Sequence, residues 1–190
     1  MDKSRSTSPV RRFLRARQGA TAVEFALILM PFLLLLMAII ELSLIFVVTV
    51  GLDGATTAAA RQIRTGSFQL SGASTKTDFR NLVCSKLPVL PSGCDANVFV
   101  DVRTFNTFAD LSANFAQSGA TFVDSATCFS PGKARDIVLV RVYYQWPLVT
   151  PGVMMAFADN PATGQRMLSS ASVFRNEPYN DDPPVGAKCT

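Results

Sequence analysis

Residues 19–50 read GATAVEFALILMPFLLLLMAIIELSLIFVVTV, and the 26 residues from Phe25 to Val50 contain a single charge, Glu41. A helix rises ~1.5 Å per residue and needs ~20 apolar residues to cross ~30 Å of hydrocarbon. The run is long enough for a membrane span, with residues to spare. A cleaved secretory signal has an apolar core of about 7–15 residues and a small-x-small site close behind it. Here the first small-residue triplet, Ala58-Ala59-Ala60, lies well past the run. The segment therefore reads as a retained transmembrane helix. Pro31 removes one hydrogen bond from its ladder and predicts a kink. Glu41 lies 17 residues beyond Glu24, about 25 Å along the axis. It reads either as an intramembrane carboxylate facing a partner helix or as an interfacial one at the outer headgroups.

Upstream, residues 1–18 are polar, basic and without apolar periodicity, as in a disordered leader. Lys3, Arg5, Arg11, Arg12, Arg15 and Arg17 against Asp2 give residues 1–19 a charge of +5. The whole chain carries +4, so residues 20–190 carry −1. The basic character belongs to the leader, and no nucleic-acid partner is expected. Arg61 and Arg64 are the nearby basic residues after the helix. The positive-inside rule thus puts the leader in the cytoplasm and the C-terminal part outside.

Downstream, Gly51 to Arg64 is rich in small residues. It reads as the helix continuing, or restarting after a glycine kink, with Thr65-Gly66 as the stop. Residues 67–75 read as a loop. Thr77 to Leu87 is amphipathic, with Phe79, Leu82, Val83 and Leu87 on one face and Thr77 or Asp78 as cap. Pro88 to Gly93 is a turn. Asn97 to Phe105 alternates, Val98, Val100 and Val102 against Phe99, Asp101 and Arg103, which predicts a half-exposed strand. Asp110 to Gln117 is compatible with a helix. Asp136 to Trp146 is nearly all apolar and reads as a central strand ended by Pro147. Arg166 to Arg175 alternates again. The expected fold is α+β: a long transmembrane helix, then a small domain with an antiparallel sheet of about three strands and one or two short helices. The divisions are residues 1–19, 20–65 and 66–190. The apolar stretch Val149 to Phe157 is either core or a docking surface.

The chain has no histidine. That removes the commonest general base, the Ser-His-Asp triad and every His-bearing metal site. Ser130 and Lys133 match a Ser-x-x-Lys pair by chance, in a Pro-Gly turn and without companion motifs. No catalytic residue, metal or cofactor is expected. Cys84, Cys94, Cys128 and Cys189 allow three complete pairings and contain no C-x-x-C. In an exported domain they read as disulfides. Cys84–Cys94 closes a short loop and leaves Cys128–Cys189; four free thiols are the alternative.

One spacing links these features. A basic leader is followed by Gly19, then by Glu24 in the fifth position after it, then by an apolar helix. This resembles the class III signal of type IV pilins and pseudopilins. The resemblance implies cleavage by a membrane prepilin peptidase between Gly19 and Ala20. It also implies pairing of Glu24 with the new amino terminus of a neighbouring subunit. The stretch Gly-Ala-Thr-Ala-Val-Glu-Phe-Ala from Gly19, the Ala-rich continuation to Arg61 and the close Arg175-Asn176-Glu177-Pro178 together look like the TadE family of tight-adherence (Flp-type) pilus systems. That likeness implies a minor pilin of the bacterial inner membrane, with its domain periplasmic or in a surface pilus. Its partners would be other pilins and pseudopilins, the prepilin peptidase and the assembly platform. An unprocessed, membrane-anchored binding module is the alternative.

Overall fold

A computed structural model of the chain describes residues 19–72, 75–87, 93–114, 127–150, 154–160 and 163–179. Residues 1–18 of the leader, residues 88–92 of the Pro88–Gly93 turn, the end of the Asp110–Gln117 helix, Pro151 to Val153 and Cys189 lie outside the described residues.

Helix α1 spans Ala20–Arg64, 45 residues without a break. It runs through Pro31, and through Gly51 and Gly54 without restarting. Each glycine lowers helix propensity by about 1 kcal/mol relative to alanine. Packing of the flanking residues offsets this: Ala38, Glu41, Ile45, Val48, Leu52, Ala55, Ala59 and Ile63 form a buried stripe at spacings of three and four. From Gly19 to Met37 no described side chain is buried. One end of α1 is thus bare, and the other is the spine of a domain.

Short helices α2 (Ser67–Leu70) and α3 (Lys76–Lys86) follow. The cap of α3 is Thr75, not Thr77 or Asp78: Thr75 Oγ1 accepts from the Asp78 N–H, and the Asp78 carboxylate accepts from the Thr75 N–H. This reciprocal box satisfies two orphan donors at the helix start. Then come α4 (Cys94–Asn97), β1 (Val98–Phe105), α5 (Ala109–Asn114), β2 (Ile137–Pro147), a 3-10 turn (Met154–Phe157) and β3 (Gln165–Arg175). A disulfide joins Cys84 of α3 to Cys94 of α4; Cys128 is also disulfide-bonded.

The sheet is antiparallel, in the order β1-β2-β3. The near-continuous apolar run of β2 is explained by its central place. Val98, Val100, Val102, Val138, Val140, Val142 and Tyr144 pack with Phe79 and Val83 of α3 and with the α1 stripe in one core. Phe68, Phe79 and Phe129 meet at ring-centroid distances of 5.5–6.0 Å beneath the end of α1.

The other face of β1 is half-exposed at Phe99, Arg103 and Phe105, as its alternation predicts, with one exception. Asp101 is 0% exposed. Its carboxylate accepts from Arg141 Nε at 3.0 Å across the β1–β2 register, from Arg103 Nε at 3.0 Å and from the Cys128 N–H at 2.8 Å. A charged residue follows the alternation rule only when it faces water. Here donors from three residues, Arg141, Arg103 and Cys128, take the place of solvent.

Candidate functional site

Three places on α1 carry the residues singled out in the sequence. At its start, Gly19 is the N-cap and is exposed, with nothing within 4 Å of a Cβ built on it. Ala20 is the first helical residue. Glu24 is exposed and has no hydrogen-bond or ion-pair partner among the described residues. Pro31 is exposed on the bare part of the helix. This end therefore presents an unpaired carboxylate and a belt of apolar side chains, including Phe25, Leu27, Ile28, Met30 and Phe32. Among the described residues α1 is the helix long and apolar enough to cross a membrane.

At mid-helix, Glu41 is 4% exposed, between the exposed Ile40 and Leu42. Its two carboxylate oxygens accept from the backbone N–H groups of Val149 at 2.7 Å and Thr150 at 2.9 Å. Two further donors, Trp146 Nε1 and Thr150 Oγ1, are buried with no other hydrogen-bond partner and lie beside the same carboxylate. Glu41 thus bonds to the backbone of its own chain. It fastens the end of β2 to α1. The contact spans 108 residues of sequence, and nothing in the local pattern around either partner announces it.

At the end of α1, the Arg175–Pro178 segment acts as a fastener. Arg175 Nε donates to the Arg135 carbonyl at 2.8 Å. Asn176 is buried; its Nδ2 donates to the carbonyls of Pro131 at 3.0 Å and Lys133 at 2.9 Å. The Glu177 N–H donates to the Arg64 carbonyl at 2.9 Å, satisfying an orphan acceptor of the helix end, and its carboxylate lies 3.3 Å from Arg64 Nε. Pro178 is exposed and leads to Tyr179. Burial and the nearby Asp136 push the Tyr179 hydroxyl pKa above its ordinary value. The Tyr179 ring covers Gly66, whose φ is +75° and whose added Cβ would stand 2.7 Å from Tyr179 Cδ1. Gly66→Ala should therefore lower stability by about 2–3 kcal/mol, from left-handed strain plus the clash. Gly54→Ala, in open space on the helix, should stabilise by up to about 1 kcal/mol. Urea unfolding of the two variants in detergent checks the opposite signs.

The described residues contain no group of three or more Cys, Asp or Glu able to hold a metal. A cleft of about 220 Å³ lined by Lys76, Thr77, Arg80, Val98 and Phe99 holds two cations and no carboxylate.

Residues 19–61 match the family model described as TadE-like protein. The match begins at the N-cap glycine and ends three residues before α1 does, so it covers the bare part of the helix and most of the buried stripe. No curated protein and no solved structure gives a significant match.

Proposed function

We propose that this chain is a TadE-like minor pilin of a tight-adherence pilus system, anchored by α1 and acting through protein–protein contacts. The observation that carries the reading is the family match over residues 19–61, which is consistent with a TadE-like protein. Membership of such a pilus-associated, non-enzymatic family implies protein partners in assembly. The domain leaves the first part of α1 uncovered, and that part has the length and apolarity of a membrane span.

The finer reading has residues 1–19 as a cytoplasmic leader removed by prepilin peptidase between Gly19 and Ala20. Residues 20–65 then hold the span and its continuation, and residues 66–190 the periplasmic domain. Exposure of Gly19 suits a protease, and the partnerless Glu24 suits pairing with the amino terminus of a neighbouring subunit. Such pairing would compensate a carboxylate in an apolar setting. The peptidase, the other pilins and the inner-membrane platform are the partners this implies.

The test is the N-terminus of the protein recovered from its native membrane, by intact mass and peptide sequencing. The expected start is Ala20, lost on Gly19→Arg. A chain still starting at Met1 or Asp2 would sink the processed reading and leave an anchored binding module.

A further inference from the structure

The β2–β3 hairpin runs alongside the second half of α1, and three contacts set its direction. The Val149 and Thr150 N–H groups donate to Glu41, Ser170 Oγ donates to Asp53 at 2.7 Å, and the Glu177 N–H donates to the Arg64 carbonyl. Residue numbers on β3 and α1 therefore rise together. The hairpin closes at Pro147↔Gln165. Among the described residues, the β2–β3 connection is the part of the domain tied closest to the bare end of α1.

Thr21 to Ile40 is 20 residues, which at ~1.5 Å each spans ~30 Å, one hydrocarbon thickness. With Thr21 placed at one boundary, Glu41 stands at the other, and Val149 and Thr150, bonded to it, stand there with it. This connection is apolar. Val149 is 71% and Phe157 51% exposed, and Leu148 is half-buried. Its sole charged residue, Asp159, accepts from the Met167 N–H at 2.7 Å. The exposed Val149, bonded through its N–H to Glu41, thus continues the exposed belt of Ile39, Ile40 and Leu42 on α1, and the exposed Phe157 lies in the same connection.

We infer that the β2–β3 connection is a second membrane contact. Val149 and Phe157 sit in the headgroup–acyl boundary of the leaflet from which α1 emerges, and Glu41 is the positioning residue that holds the connection at that depth. The occupant is a lipid surface because Val149 adjoins the exposed apolar belt of α1, the part of the helix proposed above as the membrane span. The inference rests on the reading of residues 21–40 as that span. An apolar contact beside the helix would restrict its tilt, since tilt is set by packing and interfacial anchors rather than by length.

The experiment uses the full chain in lipid vesicles. Trp146 is the single tryptophan, so Trp146→Phe gives a dark background. Tryptophan is then placed singly at Val149, Phe157, Phe32 and Phe108. Phe108 follows β1 at the opposite end of the sheet and is exposed. Lipids brominated near the carbonyl or near the chain terminus quench by depth. The expected result is strong quenching of Phe32→Trp by the chain-terminal label, and of Val149→Trp and Phe157→Trp by the carbonyl-end label, with Phe108→Trp unquenched. If Val149→Trp and Phe157→Trp behave like Phe108→Trp while Phe32→Trp is quenched, the second contact is overturned and the anchor stands. If Phe32→Trp is also unquenched, the anchor reading falls and this inference with it. Should the Trp146→Phe background not fold, photo-crosslinking residues at the same four positions in the otherwise native chain give the same comparison through lipid adducts.

Discussion

Asp101→Ala is expected to cost about 3–5 kcal/mol, the largest loss from any single substitution in the domain. Asp101 is fully buried, and Arg141 opposite it is 5% exposed. Both Nε and Nη2 of Arg141 reach the same carboxylate oxygen. Removing the carboxylate leaves that guanidinium in the sheet without its counter-charge, and withdraws the acceptor of Arg103 Nε and the Cys128 N–H as well. Uncompensated charge dominates the loss. Asp→Ala removes the carboxylate and no methylene, so lost apolar burial does not enter. In thermal unfolding of the full chain in detergent the midpoint should fall by roughly 8–15 °C. Asp101→Asn, which keeps an acceptor but not the charge, should fall between. Replacing Asp101 by Leu and Arg141 by Met together should recover much of the loss, because an apolar pair avoids the desolvation of both ions. A single-variant loss under about 1 kcal/mol would place the cluster among ordinary surface pairs.

This cluster shows where sequence reasoning stopped. The alternation of β1 and the apolar run of β2 identified both strands and which was central, because side-chain period and burial are local properties. The length of the Phe25–Val50 run likewise made the helix legible. Burial of Asp101 depends on the register Asp101↔Arg141 and on the Cys128 segment, separations of 40 and 27 residues. No local pattern encodes these. The short helices Ser67–Leu70 and Cys94–Asn97 were missed for a related reason. Four-residue helices carry too little periodicity to register, and tertiary packing holds them: Phe68 in the aromatic group, Cys94 in its disulfide. The cap of α3 was misplaced by two or three positions. Thr75, Thr77 and Asp78 are all competent caps, and only the reciprocal Thr75–Asp78 geometry chooses.

The same reasoning leads to Glu41, which sequence reading allowed to be either intramembrane or interfacial. Glu41→Ala is expected to cost about 2–4 kcal/mol, since it strands the buried Thr150 N–H and the part-buried Val149 N–H at ~1–3 kcal/mol each, with partial relief from water entering at the hairpin end. The effect should be local as well as global. Amide exchange at Val149 and Thr150 should rise sharply, while the Asn176 amide, bonded to the Asp136 carbonyl at the far end of the sheet, changes little. Glu41→Gln tests the chemistry at constant shape. Its amide has one acceptor oxygen, so one of the two N–H groups must face an NH2 instead of an oxygen. Gln should therefore lose at least half of what Ala loses. Thr57→Ala, on the exposed face of the same helix, is the control. If Glu41→Ala moves the midpoint no further than Thr57→Ala and leaves both amides protected, the carboxylate is not what holds the domain to the helix. A positive result has a consequence for assembly. The tie at Glu41, 23 residues before Arg64, adds to the buried α1 stripe and the Ser170–Asp53 bond in holding the domain against the helix. On the minor-pilin reading proposed above, Glu41→Ala should impair assembly at protein levels that Asp101→Asn, destabilising but remote from the helix, still tolerates.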